Sequence, residues 1–333
     1  MKKQEMLLNG STLSIETGRV ARQSSGSVIV THGETVILVA VNAATKARED
    51  IDFFPLQVEY RERHYAGGKI PGGFFKREAR PSEHEILTSR LTDRPIRPLF
   101  PKSFKNETQV IITVLSSDGE NMADTLAGVG ASTALMISDI PFNGPIATVK
   151  VGRVNDEFIV NPTRSQMDES DMEIIVSGND ETIVMVEGEA ELITEEEFID
   201  AMKFAHGPIK ELIELQNKLI AEIKVVKRDV PEEDINEELE KAVLELVSNK
   251  IDTAIKTADK VDREVLITAL KDEALSTFEE SYPESAKMIA TIVNGQLKNA
   301  FREQILAEGK RSDGRKTTDI RPISVETNIL PRT

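Results

Sequence analysis

The pattern of apolar residues changes at Arg228, and this change limits the chain to two kinds of architecture placed one after the other. Before Arg228, short segments rich in Val, Ile and Thr alternate with turn residues, which is typical of β-strands. After it, residues 228–280 contain no Gly and carry Leu, Val and Ile at three- and four-residue spacing, which is typical of helices. The sequence therefore predicts an α+β domain followed by an all-α domain.

Nine short segments before Arg228 predict β-strands, the first three of them antiparallel, and turn residues such as Asn155-Asp156 separate them. Two further segments predict helices: 120–138, whose small residues allow close packing, and a long helix that begins at a Thr194/Glu197 capping box. The predicted strands span 13–16, 27–31, 34–42, 56–60, 109–115, 146–153, 157–160, 173–177 and 183–187.

A basic segment, residues 61–105, stands out from an acidic background. It holds eleven Lys or Arg and five Asp or Glu, a local balance of +6, whereas the whole chain has a net charge of -16. Such a charge disfavours general attraction to nucleic acid, because polyanions repel each other. Any contact with nucleic acid is therefore expected within this segment.

Within the basic segment, four glycines lead to Phe74, Phe75, Lys76 and Arg77, and we call residues 67–77 the aromatic loop. Aromatic rings beside cations suit single-stranded nucleic acid, because bases stack on the rings and phosphates meet the cations. Two adjacent Phe are also common in a core, and a basic Gly-rich loop is also common on a solvated surface. The residues alone leave both interpretations open.

Ser82 and Glu85 form a capping box that predicts the start of a helix after the aromatic loop. Arg90 and Arg94 share one face of this helix, and Arg97 follows between two prolines that we expect to end it. The three guanidinium groups suit phosphate recognition. The alternative, equally weighted, is a surface network in which they pair with Glu62, Glu78, Glu83 and Asp93.

Other candidate sites are weaker. Asp118, Asn121 and Asp124 lie near the start of the small-residue helix, and we expect them to cap it rather than to bind a cation. His32 and His64 lack neighbours at metal-ligand spacing and are expected in turns or on the surface. The chain has no Cys, no apolar run long enough to span a membrane and no signal-peptide core, so we expect a cytoplasmic protein without membrane contact.

Several long motifs resemble one family. The run GGKIPGGFFKREARPSEHEILTSRLTDRPIRPLFP, together with SDIPFNGPIATVKVG, MVEGEA and KRSDGRKTTDIRPISVETNILPRT, is similar to bacterial polynucleotide phosphorylases. The resemblance covers essentially the whole chain. It implies a ribonuclease PH-like mixed-sheet core with its closing helix at 1–227, an all-α linker domain at 228–305, and the start of a second such core at 306–333.

The resemblance implies phosphate-dependent degradation of RNA from its 3′ end, releasing nucleoside diphosphates, in a complete enzyme that uses Mg²⁺ or Mn²⁺. It also implies a homotrimer and membership of an RNA-degradation complex. The family's phosphate site, metal-binding acids and catalytic lysine belong mainly to the second core. We therefore assign no catalytic or metal-binding residue here, and we expect this portion to lack turnover by itself.

What the resemblance assigns to this portion is RNA contact by seven residues: Phe74, Phe75, Lys76, Arg77, Arg90, Arg94 and Arg97. The family often has Arg-Arg after the two aromatics, and Lys76 departs from that, which predicts a looser phosphate contact because Lys lacks the planar fork of Arg. Two alternatives stay open: a non-catalytic RNA-binding protein that has the same loop, and an acidic ring-shaped scaffold without RNA contact.

Overall fold

The computed structural model describes residues 1–48, 51, 53–230 and 236–332. They form two compact units, Met1–Glu232 and Glu233–Thr333. Residues 231–235, near the start of the predicted linker domain, and Thr333, at the end of the predicted third segment, lie outside the described residues. In the described part of the chain, no helix has both the length and the apolar character needed to cross a bilayer.

The first unit begins with a six-stranded sheet in the order β1-β2-β3-β4-β6-β5. Its strands pair antiparallel except for β5 and β6, which run parallel. A parallel pair needs a crossover, and the connection between these two strands contains the whole aromatic loop and the first helix. The strands are β1 Lys2–Leu8, β2 Ser11–Thr17, β3 Gly26–His32, β4 Thr35–Ala43, β5 Leu56–Glu62 and β6 Thr108–Ser116.

Helix α1 (Glu83–Ile96) occupies that crossover, and helix α2 (Asp124–Met136) follows β6. The predicted capping box at Ser82 is present. Pro95 does not end α1, because it lies in the final turn and the helix continues to Ile96, where a short 3-10 turn takes over. Nearly every residue of α2 is buried, and its glycines let β-strands approach: a Cβ on Gly130 would lie 2.6 Å from the Val39 side chain.

A second, four-stranded sheet has the order β10-β9-β7-β8 and is antiparallel throughout. Asn155 and Asp156 have φ of 51° and 64°, as the predicted tight hairpin between β7 and β8 requires. Its strands are β7 Ala147–Val154, β8 Glu157–Val160, β9 Met172–Gly178 and β10 Ile183–Ala190, with the short helix α3 (Arg164–Met167) between β8 and β9.

Helix α4 (Glu195–Ala221) closes the first unit, starting at the predicted Thr194/Glu197 capping box. Its apolar stripe includes Ile209, Leu212 and Leu219 and joins the core formed by both sheets. After it, Arg228 binds Asp139 and the carbonyls of Ala43 and Ala44. Residues up to Arg228 are therefore attached to the first unit.

In its described residues, 236–332, the second unit contains three helices, α5 Glu237–Lys256, α6 Lys260–Phe278 and α7 Ala286–Glu308. Its separate core includes Leu239, Val243, Ile251 and Val293. The apolar residues predicted at three- and four-residue spacing form the buried face of α5. The predicted fold class, a mixed-sheet α+β domain followed by helices, is thus confirmed.

Candidate nucleic-acid interface

The tip of the aromatic loop is exposed. The Phe74 side chain is 93% exposed and Phe75 is 80% exposed, so neither contributes to a core. Their ring centroids lie 5.5 Å apart with the planes nearly perpendicular. Exposing two large apolar rings has a free-energy cost in water, so this pair is the strongest indication of a binding surface in the first unit.

Glycine is needed in the loop because of the backbone angles there, and not because a side chain would clash with a neighbour. Gly68 and Gly73 have φ of 68° and 74°, in the left-handed region that glycine adopts without strain. A Cβ on any of the four loop glycines would meet nothing within 4 Å. Lys76, which follows the rings, adopts φ of 49° although it is not glycine.

A buried carboxylate of helix α1 binds both ends of the longer segment, residues 62–82, that contains the aromatic loop. Glu85 is only 7% exposed. Its Oε1 accepts a hydrogen bond from the backbone N–H of Glu62, where β5 ends, and its Oε2 accepts one from the N–H of Ser82, where α1 is capped. The chain segment between these two residues is therefore fixed at both of its ends by one side chain.

The three predicted RNA-contacting arginines have different surroundings. Arg97 donates to both Asp93 oxygens and to the carbonyls of Phe54 and Leu56, so it holds the end of α1 against the start of β5. Arg94 pairs with Glu187 on β10. Arg90 is exposed and, within the described residues, contacts no carboxylate. The predicted surface network accounts only for Arg97 and Asp93.

An open cleft of about 760 Å³ lies beside the base of the loop. Lys150 lines this cleft; its side chain is 5% exposed, and its ammonium contacts Asp124 at 3.0 Å and Glu173 at 2.5 Å. Burial alone would lower the pKa of Lys150, but the two carboxylates outweigh burial and raise it. The sequence analysis missed this cluster, although a lone Lys in the apolar run of β7 was a signal of a buried ion pair.

A second polar group lines the same cleft. Glu62 Oε1 lies 3.3 Å from the His84 ring Nε2 and accepts a hydrogen bond from the buried Tyr60 hydroxyl at 2.9 Å. The Glu62–His84 contact raises the pKa of His84 and lowers the pKa of Glu62. Burial, followed by the neighbouring Glu62 charge, raises the pKa of Tyr60.

Of the three expected caps of α2, Asp118 and Asn121 bond to each other in the preceding turn, whereas Asp124 accepts the backbone N–H of Thr125 in the first turn of the helix. The N-cap is Ala123, which has no capping side chain. Asp118 instead accepts backbone hydrogen bonds from Glu34, Glu120 and Asn121, which fixes the turn before the helix. Burial would raise the pKa of Asp118, but a hydrogen bond from the Asn121 side chain and these three backbone bonds outweigh burial and keep that pKa far below its usual range. The capping prediction for Asp118 is therefore wrong, because a local turn uses its acceptors first.

Asp124, which the sequence placed near this turn, is paired with Lys150. Within the described ranges, no group of three or more His, Cys, Asp or Glu could hold a metal ion. His32, expected in a turn or on the surface, is buried and contacts the Leu8 carbonyl at 3.1 Å. His64 lies at the base of the aromatic loop, as expected of a surface residue.

Three family models match the chain. Residues 11–141 match domain 1 of the 3′ exoribonuclease family, and residues 144–207 match domain 2 of that family. The first unit of the chain thus belongs to the 3′ exoribonuclease family. Residues 238–316 match the RNA binding domain of polyribonucleotide nucleotidyltransferase. Taken together, the matches identify the chain as a member of the polyribonucleotide nucleotidyltransferase family, similar to its N-terminal portion.

Curated relatives agree with this assignment. The polyribonucleotide nucleotidyltransferase of Heliobacterium modesticaldum is 48% identical over 98% of this chain and 46% of its own length. That of Geotalea uraniireducens is 47% identical over 99% of this chain and 47% of its own length. The chain thus spans about half the length of the curated relatives it matches.

A solved structure shows the same fold at low identity. Rice (Oryza sativa) Rrp46 has a TM-score of 0.51 and 14% identity, and the match covers 62% of this chain and 94% of that one. At this identity the likeness concerns the fold alone, and it is consistent with the ribonuclease PH-like core expected from the sequence.

Proposed function

We propose that this chain is the RNA-guiding portion of a phosphorolytic 3′-to-5′ exoribonuclease. The observation that carries the proposal is the exposed Phe74–Phe75 pair, followed by Lys76 and Arg77, in a chain of the polyribonucleotide nucleotidyltransferase family. Stacking of a base on an aromatic ring contributes roughly 1–3 kcal/mol, and it tolerates any sequence because every base has a π-face. Single-stranded RNA is therefore the partner that fits this surface.

The cationic side chains contribute unequally in this proposal. Arg77 and Arg90 bind phosphates directly, and Lys76 binds them as a point charge. Arg94 binds RNA only when it leaves Glu187, and Arg97 supports the platform rather than the strand, because its donors are used by Asp93 and by two backbone carbonyls. This ranking refines the sequence-based set of seven residues.

In the complete enzyme, inorganic phosphate attacks the terminal phosphodiester, and a nucleoside diphosphate leaves in a reversible reaction. Mg²⁺ or Mn²⁺ would stabilise the charge that develops on the phosphoryl oxygens. In the first unit, the carboxylate of Asp124 is already paired with the Lys150 ammonium, and a cation at this position would repel a metal ion. We assign no catalytic step to these residues, and we propose that this portion has no turnover by itself.

We further propose a cytoplasmic location, assembly as a homotrimer and membership of an RNA-degradation complex for the complete enzyme. The support is the family assignment. The second candidate, a non-catalytic RNA-binding protein, is favoured by the same exposed loop. It makes the same prediction for RNA binding and differs only in the activity of the longer protein.

Binding of a fluorescent single-stranded RNA to the chain tests the RNA contact. We expect Phe74→Ala and Phe75→Ala each to weaken binding by about 5- to 150-fold, as the loss of one stacked base implies. Ile70→Ala is the matched control, because Ile70 is 79% exposed on the same loop but cannot stack. Equal affinities for all four proteins would leave only the scaffold interpretation.

Release of nucleoside diphosphate from a 3′-labelled RNA tests the absence of turnover. The assay contains phosphate and Mg²⁺, and each is then omitted in turn. We expect no release by this chain. Phosphate-dependent release would show that the first unit holds its own catalytic residues, and Lys150 and Asp124 would then be the first candidates for substitution.

A further inference from the structure

The base of the aromatic loop is closed by two carboxylates, of which Glu85 is the buried one. The second is Glu78, on the outgoing side of the loop. Its Oε1 accepts a hydrogen bond from the backbone N–H of His64 at 3.2 Å, and its Oε2 contacts the His64 ring Nδ1 at 3.0 Å. The two residues are fourteen positions apart, so this contact closes a loop of the chain around the aromatic tip.

Neighbouring contacts support the same closure. The Arg61 guanidinium donates to the Ala79 carbonyl at 3.1 Å, one residue beyond Glu78. The same guanidinium lies 3.7 Å from Glu85, which links the outer contact to the buried one. The backbone N–H of Lys69 donates to the His64 carbonyl at 2.9 Å, so His64 is held on the incoming side as well.

The charges at this position favour the contact. The His64 side chain is the main cause of a lowered pKa of Glu78, and the neighbouring Arg63 lowers it further. Glu78 is therefore ionised at neutral pH. Both side chains are partly exposed, at 41% for His64 and 31% for Glu78, so the contact can open without unfolding the sheet behind it.

Between His64 and Glu78 the chain has few other restraints. Two of its glycines occupy the left-handed region, and the space around all four is empty. Ordering such a segment when a ligand binds has an entropic cost, which is avoided when the segment is already held in place. The His64–Glu78 contact supplies this preorganisation, together with the neighbouring Arg61–Ala79 and Lys69–His64 hydrogen bonds.

We propose that His64 and Glu78 are positioning residues that hold the Phe74–Phe75 tip in its RNA-binding conformation. The inference rests on the proposed RNA contact of the loop. It assigns no chemistry to either residue, since both act through the backbone that carries the rings.

The test measures the loop and the RNA affinity separately on the full chain. The variants are His64→Ala, which removes the ring donor, His64→Asn, which retains a donor near the position of Nδ1, and Glu78→Gln. Glu83→Gln is the control, because Glu83 is exposed in the first turn of α1 and has no ion-pair partner within the described residues.

The first readout is the rate of tryptic cleavage after Lys76 and Arg77 without RNA. His64→Ala leaves the cleaved residues unchanged, and we expect it to raise the rate by about 3- to 10-fold through loosening of the loop. His64→Asn should return the rate to near the unmodified value. An unchanged rate in His64→Ala would overturn the proposal.

The second readout is RNA affinity in a double-mutant cycle. We expect His64→Ala and Glu78→Gln each to weaken binding by about fivefold, and the double variant to be no weaker than either single one. Additive losses would overturn the pairing. If Phe74→Ala has no effect on RNA binding, the proposed function fails, and the cleavage rates still decide whether the contact holds the loop.

Discussion

The ammonium of Lys150 lies 3.0 Å from the Asp124 carboxylate, and this ion pair joins the two halves of the first unit. Asp124 begins α2 in the segment that matches domain 1 of the exoribonuclease family, and Lys150 lies on β7 in the segment that matches domain 2. Glu173 on β9 contacts the same ammonium. One buried cation therefore bridges two carboxylates from different parts of the chain.

Removal of that cation is predicted to destabilise the first unit. Lys150→Met leaves two carboxylates facing each other in a mostly buried position, and breaking a buried pair in this way costs about 3–5 kcal/mol. Urea unfolding followed by circular dichroism measures the loss. Lys203→Met is the control, because Lys203 pairs with Asp200 in an exposed position and should change stability by less than about 1 kcal/mol. Equal effects would contradict the structural role of Lys150.

Gly128→Ala is predicted to destabilise the protein although Ala favours helices. A Cβ at Gly128 would lie 2.2 Å from Thr148 Oγ1 and 2.7 Å from Thr148 Cβ, so α2 and β7 must separate. Overpacking of this kind costs about 1–3 kcal/mol. Gly295→Ala on α7 meets nothing within 4 Å and should stabilise the second unit by about 0.5–1 kcal/mol. Thermal unfolding of both variants distinguishes the two cases by sign.

Acid stability should depend on Glu197. Backbone and side-chain hydrogen bonds from Thr194, together with Arg153, lower the pKa of Glu197 from 4.5 to about 2. Because the folded pKa is below the unfolded one, the stabilising contribution is complete above pH 4.5 and is lost as the pH falls towards 2. Glu197→Gln should therefore flatten the stability curve in that window, as measured by urea unfolding at a series of pH values. Identical slopes for both proteins would refute this assignment.

Substitutions of Arg90 and Arg97 should have different effects, the first on RNA binding and the second on the stability of the fold. Arg90→Ala removes an exposed cation, so we expect weaker RNA binding, a salt dependence reduced by about 0.7 in slope and unchanged unfolding. Arg97→Ala removes the contacts with Asp93, Phe54 and Leu56, so we expect a loss of about 1 kcal/mol in stability. RNA titrations at several salt concentrations, combined with urea unfolding, compare the two. A larger salt effect from Arg97 would reverse our ranking.

Local sequence signals determined most of the secondary structure. The capping boxes at Ser82 and Thr194 mark the true starts of α1 and α4, because each box satisfies backbone donors within four residues. The turn at Asn155-Asp156 and the change in apolar spacing at Arg228 were predicted from the sequence as well, since turn preference and apolar periodicity are local properties. The aromatic loop was also identifiable, because its composition sets both its backbone conformation and its chemistry.

Only the tertiary structure decided which charged groups are free. Sequence spacing grouped Arg90, Arg94 and Arg97, yet a partner 93 positions away binds Arg94, while carbonyls 41 and 43 positions away bind Arg97. The meeting of Lys150 with Asp124 and of His64 with Glu78 likewise depends on contacts between distant segments. Burial and long-range pairing depend on how the elements pack, and the local patterns of a single sequence do not show which distant residues the packing brings together. The sequence by itself thus determined the elements and the exposed loop, whereas packing determined the ion pairs that support them.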